Sequence, residues 1–281
     1  MKAFMKALKP DGTKDGASLA AIVTVAVAAC VVFICFVPFT TLVWKSVTQP
    51  NQWSGHALSA LNVLPLLSFE AWTRLLTNDN ALLRAVLVSV GVSSVVAVCS
   101  TVIGFVASRA IARHPQRRLL MLAAYLPFAM SPVVYGACIH FFFILIGLSG
   151  SVFGVVVAQV MFGTAFAVML FESFWNNEVQ SLTDLARTLG ADEHETLLRV
   201  LLPVARSFLA LVLVQTFLMS WFQYGLTLVI GGGAVETLPL KVFAFVGEAH
   251  PTYAAVASLL LIAPALVLMV LNKNLVVRRL M

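Results

Sequence analysis

The sequence predicts an all-α, polytopic membrane helix bundle of about six transmembrane helices, with a cytoplasmic helix-Gly-helix elbow between spans four and five. Three observations lead there. Of 281 residues, 60% are hydrophobic and only 11% charged, whereas an ordinary soluble domain carries about 25% charged residues. The charges avoid six long runs. Finally, one polar loop, 172–206, carries helix signals of its own.

No Asp, Glu, Lys or Arg falls in 18–44, 85–108, 119–147, 151–171, 207–235 or 253–272. A helix needs roughly 20 apolar residues to cross a bilayer. Inside lipid each backbone polar group must be satisfied within its own segment, which makes these runs helices. The Val-rich stretch 152–160 has strand propensity, but its unbroken continuation to 171 favours helix. The predicted organisation is a cytoplasmic tail over 1–17 and one membrane domain over 18–281. Its spans lie at about 18–44, 85–108, 119–147, 151–171, 207–230 and 253–272, and its elbow at 178–203.

Of the 18 Lys and Arg residues, all but Lys45, Arg74, Arg84 and Lys241 fall in segments that this topology puts inside. That asymmetry fits the positive-inside rule and places both termini in the cytoplasm, in a multi-pass protein of the cell (inner) membrane. The net charge of +6 thus orients the chain and calls for no nucleic-acid partner. Cys30, Cys35, Cys99 and Cys138 all sit in predicted spans, without metal-ligand spacing. Val27-Ala28-Ala29-Cys30 resembles a lipoprotein cleavage site, but the apolar run continues to Trp44, as an uncleaved helix does. Trp44, Trp72 and Trp175 lie near span ends, where amphipathic rings favour the headgroup region. Residues 69–76 read as a short interfacial helix.

The loop 172–206 reads as two capped helices. Ser181-x-x-Asp184 fits a capping box, followed by Leu182, Leu185, Ala186 and Leu189 at helical spacing. Gly190 ends that helix. Asp192-x-x-Glu195 opens a second, and Pro203 marks the start of the fifth span. An elbow of this kind suits docking to a cytosolic partner; it also suits lying on the membrane surface.

Asp184-Leu185-Ala186, three residues, Gly190, nine residues, then Val200-x-Leu202-Pro203 resembles the EAA loop of the permease subunits of binding-protein-dependent ABC importers. That pattern is Glu-Ala-Ala, three residues, Gly, nine residues, Ile-x-Leu-Pro. Asp184 stands for Glu, and Leu185 replaces the first Ala. Residues 68–75 and the stretch from Pro127 to Gly136 are similar to segments of the same family. Trp221 to Gly232 resembles the fifth span of permeases for oxyanions, iron, thiamine, phosphonates or polyamines, with Gln223 where many of those carry an acid.

The resemblance implies a transport subunit that forms half of a translocation path. Its partners would be two copies of a cytosolic ATPase, which bind the ATP and Mg, a second permease subunit, homo- or heterodimeric, and a periplasmic or extracellular solute-binding protein. Gly190 would set the elbow angle, Asp184, Arg187, Asp192 and Glu193 would line the docking rim, and Ala186 would allow close approach. The chain contains no Gly-x-x-x-x-Gly-Lys-Ser/Thr phosphate loop, so nucleotide binding falls to that partner.

Polar side chains inside spans face a cavity or a neighbouring helix. His140, Gln159, Gln215, Ser220, Gln223 and Tyr224 are the candidates for the substrate path, with Gln215, Ser220 and Gln223 foremost. Helix–helix hydrogen bonding is the other role such residues fill. The alternative class is an ion-gradient-driven secondary transporter of a small solute, which usually uses a mid-span carboxylate or Lys and often a repeat. Neither is found. Nor are paired carboxylates, a His-rich metal cluster or a Gly-x-Ser-x-Gly elbow, which argues against an enzyme.

Overall fold

The computed structural model describes residues 14–47, 70–73 and 80–280, and every regular element among them is helical. Most of the predicted tail and of the outer segment 48–79 lies outside the described residues. We number the helices α1 (Lys14–Val47), α2 (Glu70–Thr73), α3 (Asn80–Arg113), α4 (Arg117–Ala129), α5 (Pro132–Leu145), α6 (Val152–Glu172), α7 (Asn177–Thr188), α8 (Glu193–Trp221), α9 (Gly225–Gly231), α10 (Leu238–Gly247) and α11 (Pro251–Leu280).

Among the described residues four stretches are long and apolar enough to cross a membrane: Ala81–Arg113, Val152–Glu172, Glu193–Trp221 and Pro251–Leu268. The pair α4 and α5 makes a fifth if counted as one broken span. The run 18–44 lies within α1, a single helix of 34 residues. The chain is a polytopic helical bundle.

At the centre α3 packs along α6 through small residues. Ser93, Ala97, Ser100 and Ser108 are all buried on α3. A Cβ on Gly104 would lie 2.5 Å from the Ala167 Cβ, and one on Gly163 would lie 2.7 Å from the Ser100 Oγ. No hydrophobic force drives helices together in lipid, so close backbone approach and dense van der Waals contact must do it. Three apolar clusters flank this seam. One gathers Val96, Tyr135, Phe162, Leu226 and Ile230. A second gathers Phe105, Phe171, Phe174, Val179 and Leu201 beneath the elbow. The third, Leu82, Trp221, Leu238 and Val256, also receives Trp72 of the short helix α2. Trp221 is anchored there by donating Nε1–H to the Leu261 carbonyl at 2.8 Å.

Two predicted spans are not continuous. The run 119–147 bends by 98° between α4 and α5. Pro132 lacks an N–H and forces the residue before it out of the helical region. Ser131 is accordingly extended, with φ −64° and ψ 147°, and its side chain caps α5 by accepting from the Val134 N–H. The run 207–230 breaks at Phe222-Gln223-Tyr224 and resumes as α9. The two breaks meet: a Cβ on Gly225 would lie 2.6 Å from Val133 Cγ2 and 3.1 Å from the Val133 backbone nitrogen.

Gly104→Val forces α3 and α6 apart, and overpacking of this kind costs about 1–3 kcal/mol. The midpoint of thermal unfolding in detergent should fall. Gly91→Val, where a side chain meets nothing within 4 Å, should leave it nearly unchanged.

Candidate coupling elbow and polar path

Asn176, not Ser181, caps the first elbow helix: its Oδ1 accepts from the Val179 N–H at 3.0 Å. Ser181 sits one turn inside α7 and donates to the Asn177 carbonyl at 2.9 Å. The expected Ser181–Asp184 box is therefore absent, because Asn176 starts the helix earlier and leaves those groups mid-helix. The second cap stands where expected, with Asp192 Oδ1 accepting from the Glu195 N–H at 2.6 Å. Glu195 turns outward to pair with Arg199 at 3.1 Å instead of completing a box.

Gly190 has φ +89°, a left-handed conformation that L side chains resist. Its N–H bonds to the Arg187 carbonyl at 3.0 Å, and the Ala191 N–H bonds to that of Ala186 at 3.1 Å. This pair of bonds satisfies the last carbonyls of α7 and reverses the chain. A side chain at Gly190 would meet open space, so the glycine serves the turn alone.

Beyond the elbow, α8 starts with a π-helical turn over Thr196–Leu201, in which the Leu202 N–H reaches back to Leu197 O. Proline inside an α-helix strands the carbonyl four residues back and clashes with it. The wider turn relieves Pro203 of that clash, so the helix runs on from Glu193 to Trp221.

The apolar stripe read along α7 splits between two faces. Val179, Thr183 and Ala186 are buried against the bundle. Leu182, Leu185 and Leu189 face outward, 41%, 57% and 80% exposed. Ala186, expected to allow a partner to approach, thus lies on the inward side. Asp184 and Asp192 are exposed, while Arg187 and Glu193 are engaged within the chain. Glu193 hydrogen-bonds Arg113 and lies 3.4 Å from Arg109 Nη2 and 4.0 Å from Arg187 Nη2. The Arg113 hydrogen bond and charge, then Arg109 and Arg187, hold the Glu193 carboxyl below the usual carboxylate range. At the end of α6, Glu172 accepts from the Tyr125 hydroxyl and pairs with Arg117 at 3.8 Å.

The candidate path residues do not form one site. Gln159 on α6 is 1% exposed. Its Oε1 accepts from Ser220 on α8 at 2.5 Å, and its Nε2 donates to Thr227 on α9 at 3.0 Å. Thr227 in turn donates to the Gln223 carbonyl at 3.1 Å. Gln159 and Ser220 are therefore internally satisfied ties across the helix break. Sequence reasoning missed Thr227; its spacing of seven from Ser220 was the available signal. Gln223 lies in the break itself, 7% exposed, with no partner for its Nε2. Tyr224 packs on Phe243 with ring centroids 4.4 Å apart. His140 is paired locally with the Ser149 hydroxyl at 3.0 Å, on the turn between α5 and α6. Gln215 is half-buried on α8, five residues before Ser220. Among the described residues there is no cluster of metal-ligating side chains.

Residues 98–280 match the family of binding-protein-dependent transport system inner membrane components. The chain belongs to that family. It is similar to the spermidine/putrescine transport system permease protein PotC of Escherichia coli K12, at 27% identity over 210 residues, 74% of this chain and 79% of that one. A PotC from Haemophilus influenzae is 25% identical over 205 residues, covering 72% of this chain and 79% of the relative. A probable molybdenum ABC transporter permease protein of Haloferax volcanii is 28% identical over 138 residues, covering 45% and 50%. In fold the chain resembles a bacterial ABC transporter involved in the import of the acidic polysaccharide alginate. That likeness has a TM-score of 0.71 at 17% identity, covering 95% of this chain and 99% of the other.

The chain is thus a membrane permease subunit of an ABC importer, as the EAA-like spacing implies, and the secondary-transporter alternative falls away.

Gln159→Leu leaves Ser220 and Thr227 without their shared partner in an apolar interior. Interhelical hydrogen bonds in membranes contribute about 0.6–2 kcal/mol, so thermal unfolding in detergent should shift down by that order. Gln215→Leu, a change elsewhere on α8 with no such tie to break, provides the control.

Proposed function

We propose that the elbow formed by α7, Gly190 and the start of α8 is a coupling element that docks on a separate cytosolic ATPase. The observation that carries this reading is the row of three exposed leucines on a short polar helix. Leu182, Leu185 and Leu189 have no covering group in the chain, and an exposed apolar stripe rimmed by charge marks an interaction surface. The rim is Asp184 and Asp192, with Gly190 fixing the angle between the two helices. On the positive-inside topology this surface faces the cytoplasm, along with both termini.

Two ATPase copies bind and hydrolyse ATP with Mg, and their closure pushes the elbows of a pair of permease subunits. This chain supplies one member of the pair, the partner being a second copy or a related permease. A solute-binding protein delivers the solute from the other side. The solute passes where the two helix breaks meet: irregular backbone at membrane depth is tolerated where it is buried in protein or lines a water-filled cavity, and breaks of this kind form the solute sites of many transporters. Gln223 is the residue placed to touch it, since it lies in the break with an uncompensated amide. An amide favours a neutral or anionic solute over a cation, for which a buried carboxylate is the usual partner.

Two outcomes test this reading. Leu185→Glu puts a charge on the docking stripe and should abolish co-purification of the ATPase while the permease still inserts; retained co-purification refutes docking through α7. Gly190→Pro fixes φ in the wrong region and should reduce ATP-driven uptake into proteoliposomes at least tenfold with ATP hydrolysis persisting. Normal uptake counts against the elbow's coupling role.

A further inference from the structure

Two of the residues expected on the docking rim do something else in the folded chain. Glu193 is the first residue of α8, immediately after the elbow turn, and its carboxylate reaches across to the end of α3. There it hydrogen-bonds Arg113, lies 3.4 Å from Arg109, and is joined by Arg187 of α7 at 4.0 Å. One carboxylate therefore gathers cations from three places: two at the cytoplasmic end of α3 and one in the elbow's own first helix. Arg109 is nearly covered, with 11% of its side chain exposed, so it cannot swing away to meet a partner protein.

The rest of α3 explains why this junction matters. Its middle is locked against α6 by the small-residue seam at Ser100 and Gly104. Toward its other end, Ser89 Oγ accepts from the Leu238 N–H at 2.7 Å, at the start of α10. The helix is thus a continuous rod from the elbow to the opposite rim of the bundle. The covalent route from the elbow, along α8, passes first through the π-helical turn Thr196–Leu201. Such π-turns inside α-helices are rare and occur frequently at functional sites. The ion cluster joins the elbow to α3 ahead of that turn, by a route that does not run along α8.

We infer that Glu193 is a positioning residue, a strut that transmits elbow movement to α3 through Arg109 and Arg113, and not a docking residue for the ATPase. The inference rests on the coupling role proposed above. Exposed ion pairs add little to stability, so loss of the strut leaves the fold and the leucine stripe in place. What is lost is the polar part of the transmission: the ATPase still binds and still turns over, but α3 follows the elbow only through the apolar contacts of Phe105 with the cluster of Val179 and Leu201.

The test uses the assembled importer, with its ATPase, second permease subunit and solute-binding protein, in proteoliposomes. Glu193→Gln should keep co-purification of the ATPase at the wild-type level, lower solute uptake at least tenfold, and raise the number of ATP molecules hydrolysed per solute. Glu193→Asp, which keeps the charge, should recover part of the uptake. Adding Arg109→Gln and Arg113→Gln to Glu193→Gln should cost nothing further, as for residues acting as one unit. Loss of ATPase binding in Glu193→Gln would make it a docking residue and overturn the inference. So would an unchanged ratio of ATP to solute, or fully additive losses in the combined variant. If the wild-type assembly binds no ATPase at all, it is the coupling reading beneath the inference that fails.

Discussion

The contact on which the bundle depends is the close approach of α3 and α6. Two helices in lipid gain nothing from hiding apolar side chains from water, because their surroundings are already apolar. They gain from dense packing, and that requires small residues in register. Ser100 against Gly163 and Gly104 against Ala167 supply it, with a Cβ excluded on both glycines. Everything functional hangs from this seam. The aromatic cluster of Phe105, Phe171 and Phe174 continues it toward the elbow and receives Val179 of α7. The cluster of Val96, Tyr135 and Phe162 flanks it on the side of the helix breaks.

Closely packed and interrupted stretches alternate along the bundle. The seam and the rod-like α3 are rigid. Among the described residues the helical ladder is interrupted at the bend at Met130-Ser131, at the gap at Phe222-Gln223-Tyr224 and at the π-helical turn ahead of Pro203. Each interruption has a local chemical cause or partner. Pro132 expels the residue before it from the helix, Gly225 lets α9 sit on the start of α5, and Pro203 asks for a wider turn. The polar ties among Gln159, Ser220 and Thr227 hold the gap closed without any charge.

The elbow divides its residues between two tasks that share one short stretch of sequence. Leucines point outward and have no use within the chain; Val179, Thr183 and Ala186 point inward and fix the helix to its base. Charges divide likewise. Asp184 and Asp192 are exposed at the rim, Asp192 also capping the second helix, and Glu193 and Arg187 are spent on the junction with α3. A helix of 12 residues is too short to be stable alone, so the inward face and the cap at Asn176 are what make the outward face presentable.

The sequence by itself determined that this is a helical membrane protein, roughly where its helices run, and which loop carries an elbow. Those features are legible because they are local: a bilayer demands an uninterrupted apolar run, and a reversal after a helix demands Gly190. It also held unread signals, such as Pro132 inside a run taken as one span and Asn176 ahead of Ser181. Tertiary structure alone decided which face of α7 looks outward, since Leu182 and Ala186 are equally apolar in a one-dimensional pattern. It alone brought Glu193 to Arg109 and Arg113, 80 or more residues away, and Gln159 to Thr227 across 68. Pairings of that kind follow from how helices pack, and no periodicity along the chain encodes which distant side chain will stand within 3 or 4 Å.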